Sequence, residues 1–143
     1  MSLLRAIDIS ATGMSAQRQR VEVSTSNLAN ARTTRTAEGG PYRRQDVVFE
    51  AMPFSQTLAK TAGNGYSPRG VEVAEVIDDP TPFVQSYEPG HPDADRSGYV
   101  SYPNVNSMQE MANLANAARS YQANISAISV LKTMIQRTLD LAR

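Results

Sequence analysis

Helix-type spacing of apolar residues marks both ends of this chain. Near the start, apolar residues recur at steps of three, four or seven, which places them on one side of a helix; they are Leu4, Ile7, Ala11, Met14, Val21 and Leu28. The same spacing near the end joins Met111, Leu114, Ala118, Tyr121, Ile125, Ile128, Ile135, Leu139 and Ala142. A narrow apolar line sustained over several heptads is typical of helices that pack lengthwise against other helices.

Between the two helical patterns lies an irregular segment, because all eight prolines and seven of the eight glycines fall within Gly39–Pro103. The sequence therefore predicts a first helix in residues 1–32, an extended or β insert in 33–106 and a last helix in 107–143. Short β-branched or aromatic runs predict strands; they are Gln45–Met52, Gly70–Ile77, Pro82–Tyr87 and Gly98–Tyr102, with a mobile loop at Ala59–Pro68. The predicted fold class is mainly α with a small irregular β insert, and the long terminal helices form an antiparallel coiled-coil pair.

The two helices differ in their local signals. The first has Gly13 in its middle and a run of β-branched, Ser and Asn residues over 21–27, which disfavour a helix in isolation. We expect it to become ordered only against a partner and to stop near Asn30. The last helix follows Pro103, and Ser107 with Glu110 matches a capping box at its start.

The last helix also carries a wider apolar face than one partner helix covers. Ala127, Leu131, Met134 and Leu141 form a second apolar line beside the first. An apolar strip left exposed in a monomer usually marks an interaction surface. Lys132 stands where the first line expects an apolar residue, and it is predicted to reach solvent with its ammonium group or to specify register.

The net charge is zero, with 14 basic and 14 acidic residues, which argues against a nucleic-acid binder. The distribution is uneven: residues 1–35 carry +3, residues 107–143 carry +2 and residues 36–106 carry −5. Basic ends and an acidic middle suit contacts between neighbouring copies. The apolar start is interrupted by Arg5 and Asp8, so we expect no cleaved signal peptide and no membrane-spanning segment.

Candidate catalytic and metal chemistry is weak. The chain has no cysteine, and its single histidine, His91, lies between prolines without an identifiable nucleophile. Asp93, Asp95 and Gly98 match the first half of a calcium-binding EF-hand loop, but Asn104 stands where that loop has a bidentate Glu. A turn in which Asp side chains accept hydrogen bonds from nearby amides is favoured instead. We therefore predict no catalytic residue, metal or cofactor.

Five segments of the chain resemble the bacterial flagellar axial proteins, the rod and hook family, and most closely its C-type branch of proximal rod subunits. They are Ser26–Ala31, Gly39–Phe49, Tyr87–Asp95, Gly98–Val105 and Arg119–Asn124. The family's N-terminal signature often has two consecutive Asn before Ile or Leu, whereas Ser26 and Asn27 stand there in this chain. The similarity covers nearly the whole chain, and its Pro-Gly-His-Pro-Asp part is the most specific.

The resemblance implies a structural subunit of the proximal rod of the flagellar basal body, exported unfolded by the flagellar type III apparatus into the periplasmic rod. Its terminal helices would polymerise to form the drive shaft and export channel. The implied partners are other copies of the chain, other proximal rod subunits, the rod-to-ring adaptor, the distal rod and the export apparatus.

Two sets of residues follow as candidates for function. The predicted assembly interface is Leu4, Ile7, Met14, Val21, Asn27, Leu28, Asn30, Met111, Leu114, Tyr121, Asn124, Ile125, Ile128, Leu131, Ile135 and Leu139. The family motif in the insert is Tyr42, Arg43, Arg44, Pro89, Gly90, His91, Pro92, Asp93, Asp95, Gly98, Tyr99, Pro103 and Asn104.

Two alternatives stay open at the level of the sequence. The first is a stand-alone coiled coil that binds a partner or a membrane surface through Leu131, Met134 and Leu141. The second is a calcium-binding module or enzyme centred on His91, Asp93 and Asp95.

Overall fold

The structure, a computed structural model, describes residues 3–52 and 69–141. Its elements in chain order are α1 (Leu3–Ala29), β1 (Gln45–Ala51), β2 (Val71–Asp78), β3 (Val84–Tyr87), β4 (Tyr99–Tyr102) and α2 (Ser107–Leu141). The prediction of a mainly helical chain with a small β insert is confirmed. The loop predicted at Ala59–Pro68 lies outside the described residues.

The chain divides into two compact units. The first unit combines Met1–Gln19, Val48–Glu75 and Ala117–Arg143, and the second combines Arg20–Val47 and Val76–Asn116. Each unit therefore contains part of α1, part of the insert and part of α2. The buried apolar residues are Ala16 and Ala117 in the first unit, and Val47 and Val100 in the second.

Helix α1 satisfies its many hydroxyl groups locally. The hydroxyls of Ser10, Thr12 and Thr25 donate to backbone carbonyls three or four residues earlier, a bond that makes such residues tolerable within a helix. At the carboxyl end, the Asn30 amide N–H and its Nδ2 both donate to the Ser26 carbonyl, at 3.0 and 2.9 Å. The predicted stop near Asn30 is thus confirmed.

Helix α2 is capped by a residue that the sequence analysis did not select. The Asn106 Oδ1 accepts from the amides of Met108 and Gln109 at 3.1 and 3.3 Å, which is the usual geometry of an N-cap. The predicted capping box of Ser107 and Glu110 is wrong. The Glu110 carboxylate is bound by Arg44 and Asn27 instead, so it does not turn back to the start of its own helix.

The four strands form two small sheets, in which β1 pairs with β2 and β3 pairs with β4. The second pair is antiparallel, with Val84 opposite Tyr102 and Tyr87 opposite Tyr99. Strand β3 begins later than predicted and leaves out Pro82, which has no amide hydrogen for a ladder. Gly98 precedes β4 with a φ of +86°, and a Cβ there would lie 2.8 Å from the Tyr87 ring, so this turn requires glycine.

Burial along α2 follows a heptad pattern. Most of the less exposed positions are spaced alternately by four and three residues, namely Glu110, Leu114, Ala117, Tyr121, Asn124, Ile128, Leu131 and Ile135, and Asn113 and Ala127 lie beside this line. Along α1 the fully buried positions are small or polar, namely Ala16, Ser24 and Asn27. In the first unit, a Cβ built on Gly13 would lie 3.1 Å from the Asn124 Nδ2, so the two helices approach closely there.

Candidate functional site

The second unit contains a polar cluster made of Asn27, Tyr42, Arg44, Gln45, Asp79, Asn104 and Glu110. It joins the end of α1, the start of β1, the end of β2 and the first turn of α2. Four of its members, Asn27, Tyr42, Arg44 and Asn104, belong to the residues that the sequence analysis singled out. The cluster is therefore the place where those predicted residues meet.

Asn27 is 1% exposed, and its side-chain amide uses both its oxygen and its nitrogen. Oδ1 accepts from the Gln45 amide and the Tyr42 hydroxyl, each at 2.9 Å. Nδ2 donates to the Gln45 carbonyl at 2.7 Å and to the Glu110 Oε2 at 3.3 Å. The side chain thus pairs with the Gln45 backbone as a neighbouring strand would. Asn27 was assigned to the assembly interface, but its polar groups are used inside the second unit.

Asn104 bonds to the backbone of Arg44, the residue just before β1. Its Oδ1 accepts from the Arg44 amide at 2.9 Å, and its Nδ2 donates to the carbonyls of Asp79 and Thr81 at 3.3 and 3.2 Å. Two asparagine side chains therefore satisfy consecutive backbone positions at the start of the insert. Because an unpaired buried backbone group is costly, this pairing fixes where the insert leaves α1.

A largely buried ion pair forms the centre of the cluster. The Arg44 Nε donates to the Glu110 Oε1 at 2.9 Å, and the two side chains are 13% and 1% exposed. The Arg44 Nη1 also reaches Asp79 at 3.2 Å and Asp46 at 3.4 Å. Removing one partner of such a pair typically costs about 3–5 kcal/mol, because the other charge stays buried without compensation.

The electrostatics of the cluster favour its charged forms. Burial alone disfavours the Arg44 cation, but the hydrogen bond and charge of Glu110, helped by Asp46 and Asp79, raise the pKa of Arg44 above its ordinary value. Hydrogen bonds from the Thr81 hydroxyl and amide, followed by the bond and charge of Arg44, lower the pKa of Asp79 against the opposing effect of burial. Both groups therefore remain ionised at neutral pH.

The Pro-Gly-His-Pro-Asp segment, residues 89–93, forms a turn held largely by polar groups of its own and of the residues just after it. The His91 Nδ1 accepts from the Asp93 amide at 3.1 Å, and the Asp93 Oδ2 accepts from the Thr34 hydroxyl at 2.9 Å. The Asp95 Oδ1 accepts from the amides of Ser97 and Tyr99 at 2.8 and 2.9 Å. The prediction of a turn with Asp side chains bonded to nearby amides is confirmed for Asp95. The Asp95 Oδ1 is therefore occupied as an acceptor of two backbone hydrogen bonds and is not a free ligand for calcium.

The other motif residues of the insert surround this turn and the cluster. Arg43 donates to the carbonyls of Asp79 and Thr81 and lies over the ring of Phe83. Pro103 is buried in front of α2. Tyr99 stacks edge-on against Tyr87, with 5.3 Å between ring centroids, while Pro89, Gly90 and Pro92 are exposed.

Single-chain burial divides the residues predicted for the assembly interface. Leu4, Met111, Ile125 and Leu139 are exposed. The half-buried ones are Ile7, Met14, Val21, Leu28, Asn30, Leu114, Tyr121, Asn124, Ile128, Leu131 and Ile135. Coverage of either group by another copy stays a prediction, since the structure contains one chain.

Two central residues of the cluster were missed as site residues. Glu110 was predicted only as part of a capping box, and Asp79 was not selected as a candidate. A signal for Glu110 does exist, because it continues the four-and-three spacing of Leu114, Ala117 and Tyr121. A carboxylate at such a position predicts a buried cation partner.

The chemistry available to the cluster is binding of one chain segment to another. Its carboxylates and amides are occupied by side chains and backbone of the same unit, as the distances above show. Within residues 3–52 and 69–141, no group of three or more His, Asp or Glu residues is placed to hold a metal ion. Over the same residues, neither helix combines the length and apolar character that crossing a bilayer requires.

Comparison with known proteins gives a consistent family. A family model described as "Flagella basal body rod protein" matches residues 7–35, and one described as "Flagellar basal body rod FlgEFG protein C-terminal" matches residues 96–141. These two regions contain nearly all of α1 and the whole of α2. The matched regions also contain β4 and three members of the polar cluster, Asn27, Asn104 and Glu110.

Full-length relatives agree with the family models. The flagellar basal-body rod protein FlgC of Yersinia enterocolitica is 43% identical over 143 residues, covering 100% of both chains. FlgC of Salmonella typhimurium is 42% identical over 143 residues, also with complete coverage of both. FlgC of Bacillus subtilis is 37% identical over 150 aligned positions, again covering both chains completely. The chain therefore belongs to the FlgC family of flagellar basal-body rod proteins, and it is a structural subunit of the rod.

Proposed function

We propose that this subunit builds the proximal part of the rod by pairing its two terminal helices antiparallel and covering their outer sides with neighbouring subunits. Contacts in both units support the pairing. Gly13 faces Asn124 in the first unit, and Asn27 bonds to Glu110 in the second. In both pairs the residue numbers add to 137, as expected for antiparallel helices in one register. The alternating four-and-three burial along α2 supports a coiled-coil arrangement, because a coiled coil has apolar positions at that spacing.

The observation that carries the proposal is the apolar surface that α2 leaves exposed. Met111 and Ile125 are 56% and 37% exposed, and they share a heptad line with Ala118 and Leu139. Val130, Met134 and Leu141 are exposed on the other side of the heptad pattern. Each fully buried aliphatic side chain contributes about 1.5–3 kcal/mol. Coverage of both lines by neighbouring helices would stabilise the folded subunit, so folding and polymerisation are linked.

The partners proposed for these surfaces are copies of this chain, other proximal rod subunits, the rod-to-ring adaptor and the distal rod. The assembled helices form a drive shaft around an export channel in the periplasm. We also propose that the chain arrives there through the flagellar export apparatus. Low intrinsic helix propensity in α1 supports this route, because a weakly stable helix unfolds easily for transport and becomes ordered on assembly.

No enzymatic reaction is proposed for the chain. Its relatives are named flagellar basal-body rod proteins, and the charged groups of the polar cluster form contacts within the second unit. Asp93 and Asp95, which match part of a calcium-binding loop in sequence, are likewise bonded to Thr34 and to backbone amides. Their role is to shape the insert.

The test is to express the chain in a strain from which its own gene has been deleted and to image purified basal bodies by cryo-electron microscopy. We expect restored motility and a rod in which both terminal helices line the inner wall of the proximal segment. A rod that forms with this chain only at its outer surface, or with its two helices far apart, would contradict the proposal.

A further inference from the structure

An open groove of about 520 Å³ lies on the surface of the second unit. Pro41, Tyr42 and Phe83 give it apolar walls, while Glu38 and Asp78 contribute carboxylates. The groove is separate from the two apolar lines of α2, and it is formed entirely by residues of the insert.

The two carboxylates have no cationic partner among the described residues. Glu38 is exposed in the turn closed by Thr36 and Gly40, and it has no hydrogen bond or ion pair within the described chain. Asp78 accepts one hydrogen bond, from the Gln45 Nε2 at 3.3 Å. Arg43 also lines the groove, but its Nη1 donates to the Asp79 and Thr81 carbonyls at 2.8 and 3.2 Å. Two acceptor groups therefore face the groove without a matching cation.

Complementary charges stand on the exposed side of α2. Glu110 is paired with Arg44 in the polar cluster. The rest of α2 therefore carries three cations, Arg119, Lys132 and Arg137, and one anion, Asp140. All three cations are exposed, and none has an ion-pair partner in the part of the chain that the structure describes. Arg119 and Arg137 are 18 residues apart, which corresponds to five helical turns and places them on the same side of α2.

We propose that this groove binds an arginine side chain from α2 of a second copy of the chain. A guanidinium group is planar and donates hydrogen bonds to carboxylates in two directions, and the aliphatic stem of arginine packs against apolar walls such as Pro41 and Phe83. The inference rests on the proposed self-assembly, and it names the contact between the acidic insert of one subunit and the basic helix of another. Arg119 and Arg137 are the residues that the groove would receive.

Cysteine crosslinking tests the contact directly, because the natural chain contains no cysteine. Copies with Glu38→Cys and copies with Arg119→Cys or Arg137→Cys are expressed together, and basal bodies are oxidised after purification. We expect a disulfide-linked dimer of the chain that is at least tenfold more abundant than with Glu75→Cys, an exposed carboxylate position outside the groove. Crosslinking of position 38 only to another rod protein, or none in well-formed rods, overturns the inference.

Charge reversal gives an independent measurement in the complemented strain. Glu38→Arg should lower the number of complete rods by roughly three- to tenfold, as expected for the loss and repulsion of a partly exposed ion pair. Glu75→Arg, with the same charge change, should leave rod number unchanged, and Arg119→Glu or Arg137→Glu should restore assembly to the Glu38→Arg chain. Equal rod numbers for Glu38→Arg and Glu75→Arg overturn the inference but leave the proposed function standing. Absence of rods with the natural chain removes both.

Discussion

At the scale of single residues, the side-chain amides of Asn27 and Asn104 bond to the backbone at the start of β1 as a neighbouring strand would. Each uses an amide oxygen and an amide nitrogen to satisfy backbone groups at the start of β1. Both residues were identified from the sequence, through the family resemblance. Their partners were not, because hydrogen bonds between residues 18 or 60 positions apart leave no local pattern in a single sequence.

Replacing Asn27 by Asp should destabilise the second unit strongly. The change keeps the shape of the side chain, but it removes the donor to the Gln45 carbonyl and places a second negative charge beside Glu110. We expect a loss of about 3 kcal/mol or more in the free energy of unfolding. Urea unfolding followed by tyrosine fluorescence measures it.

A matched control for this change is Asn106→Asp, because Asp caps a helix about as well as Asn does. The control should keep its free energy of unfolding within about 0.5 kcal/mol of the natural chain. Equal effects of the two substitutions would show that Asn27 does not hold the insert to α1 and α2.

Asp79 gives the polar cluster a defined pH dependence. The pKa of Asp79 is lower in the folded chain than its unfolded value, so the unfolded chain binds the proton first as the pH falls. Its contribution to stability is complete above the unfolded pKa of about 3.9 and is lost below it, as the pH falls through the folded value. Asp79→Asn should therefore flatten the decline of stability between about pH 5 and pH 3, measured by urea titrations. A decline unchanged by Asp79→Asn would remove Asp79 as its source.

At the scale of elements, apolar spacing predicted the helices well because long amphipathic helices repeat a strong local signal. The same spacing predicted less well which side of each helix is buried. The buried positions of α1 are Ala16, Ser24 and Asn27, whereas the predicted line ran through Leu4 and Met14. Close approach at Gly13 favours small residues between the helices, and hydrophobicity alone does not rank small or polar residues as buried.

The strands were located within one or two residues of their observed bounds, since glycine and proline limit where a ladder can begin. The start of α2 was the less predictable boundary. Three residues that could cap the helix lie there within four positions, Asn104, Asn106 and Ser107, and tertiary contacts decide among them. The Asn104 Oδ1 accepts from the Arg44 amide, and the Glu110 carboxylate is held in the ion pair with Arg44. Asn106 is therefore the residue that caps the helix.

Substitution at the helix start separates these assignments. Asn106→Ala should lower the free energy of unfolding by about 1 kcal/mol, because it removes the acceptor for the Met108 and Gln109 amides. Ser107→Ala should have almost no effect, since alanine is well tolerated in the first turn of a helix. Urea unfolding monitored by the helical circular dichroism signal distinguishes them, and a larger loss for Ser107→Ala would restore the capping box.

At the scale of the whole molecule, the same sequence serves two kinds of contact. Polar and small residues hold the insert and helices within each unit, while the exposed apolar and charged residues are proposed to contact other subunits. Contacts of the second kind stay a prediction, which composition and charge distribution favour because an apolar excess on α2 and opposite charges on insert and helices are visible without a structure. The first kind depends on contacts distant in sequence, which only the fold reveals.

Ile125 offers the clearest separation of folding from assembly. It is 37% exposed in the single chain, so Ile125→Asp should leave the subunit folded, with unfolding free energy reduced by less than about 1 kcal/mol. In the assembled rod, the same carboxylate would be dry and unpaired against a neighbouring helix. We expect loss of rods and of motility with near-normal circular dichroism.

Ile135→Asp should abolish assembly as well, but it should also disturb the isolated chain, because Ile135 is half-buried in the heptad pattern of α2. Ser126→Asp, on the opposite side of the helix from Asn124, should leave both folding and motility intact. Basal bodies are counted by electron microscopy for all three variants. Normal rods with Ile125→Asp would mean that the exposed apolar line of α2 faces solvent in the assembled state, and subunit contacts would then have to come from the insert.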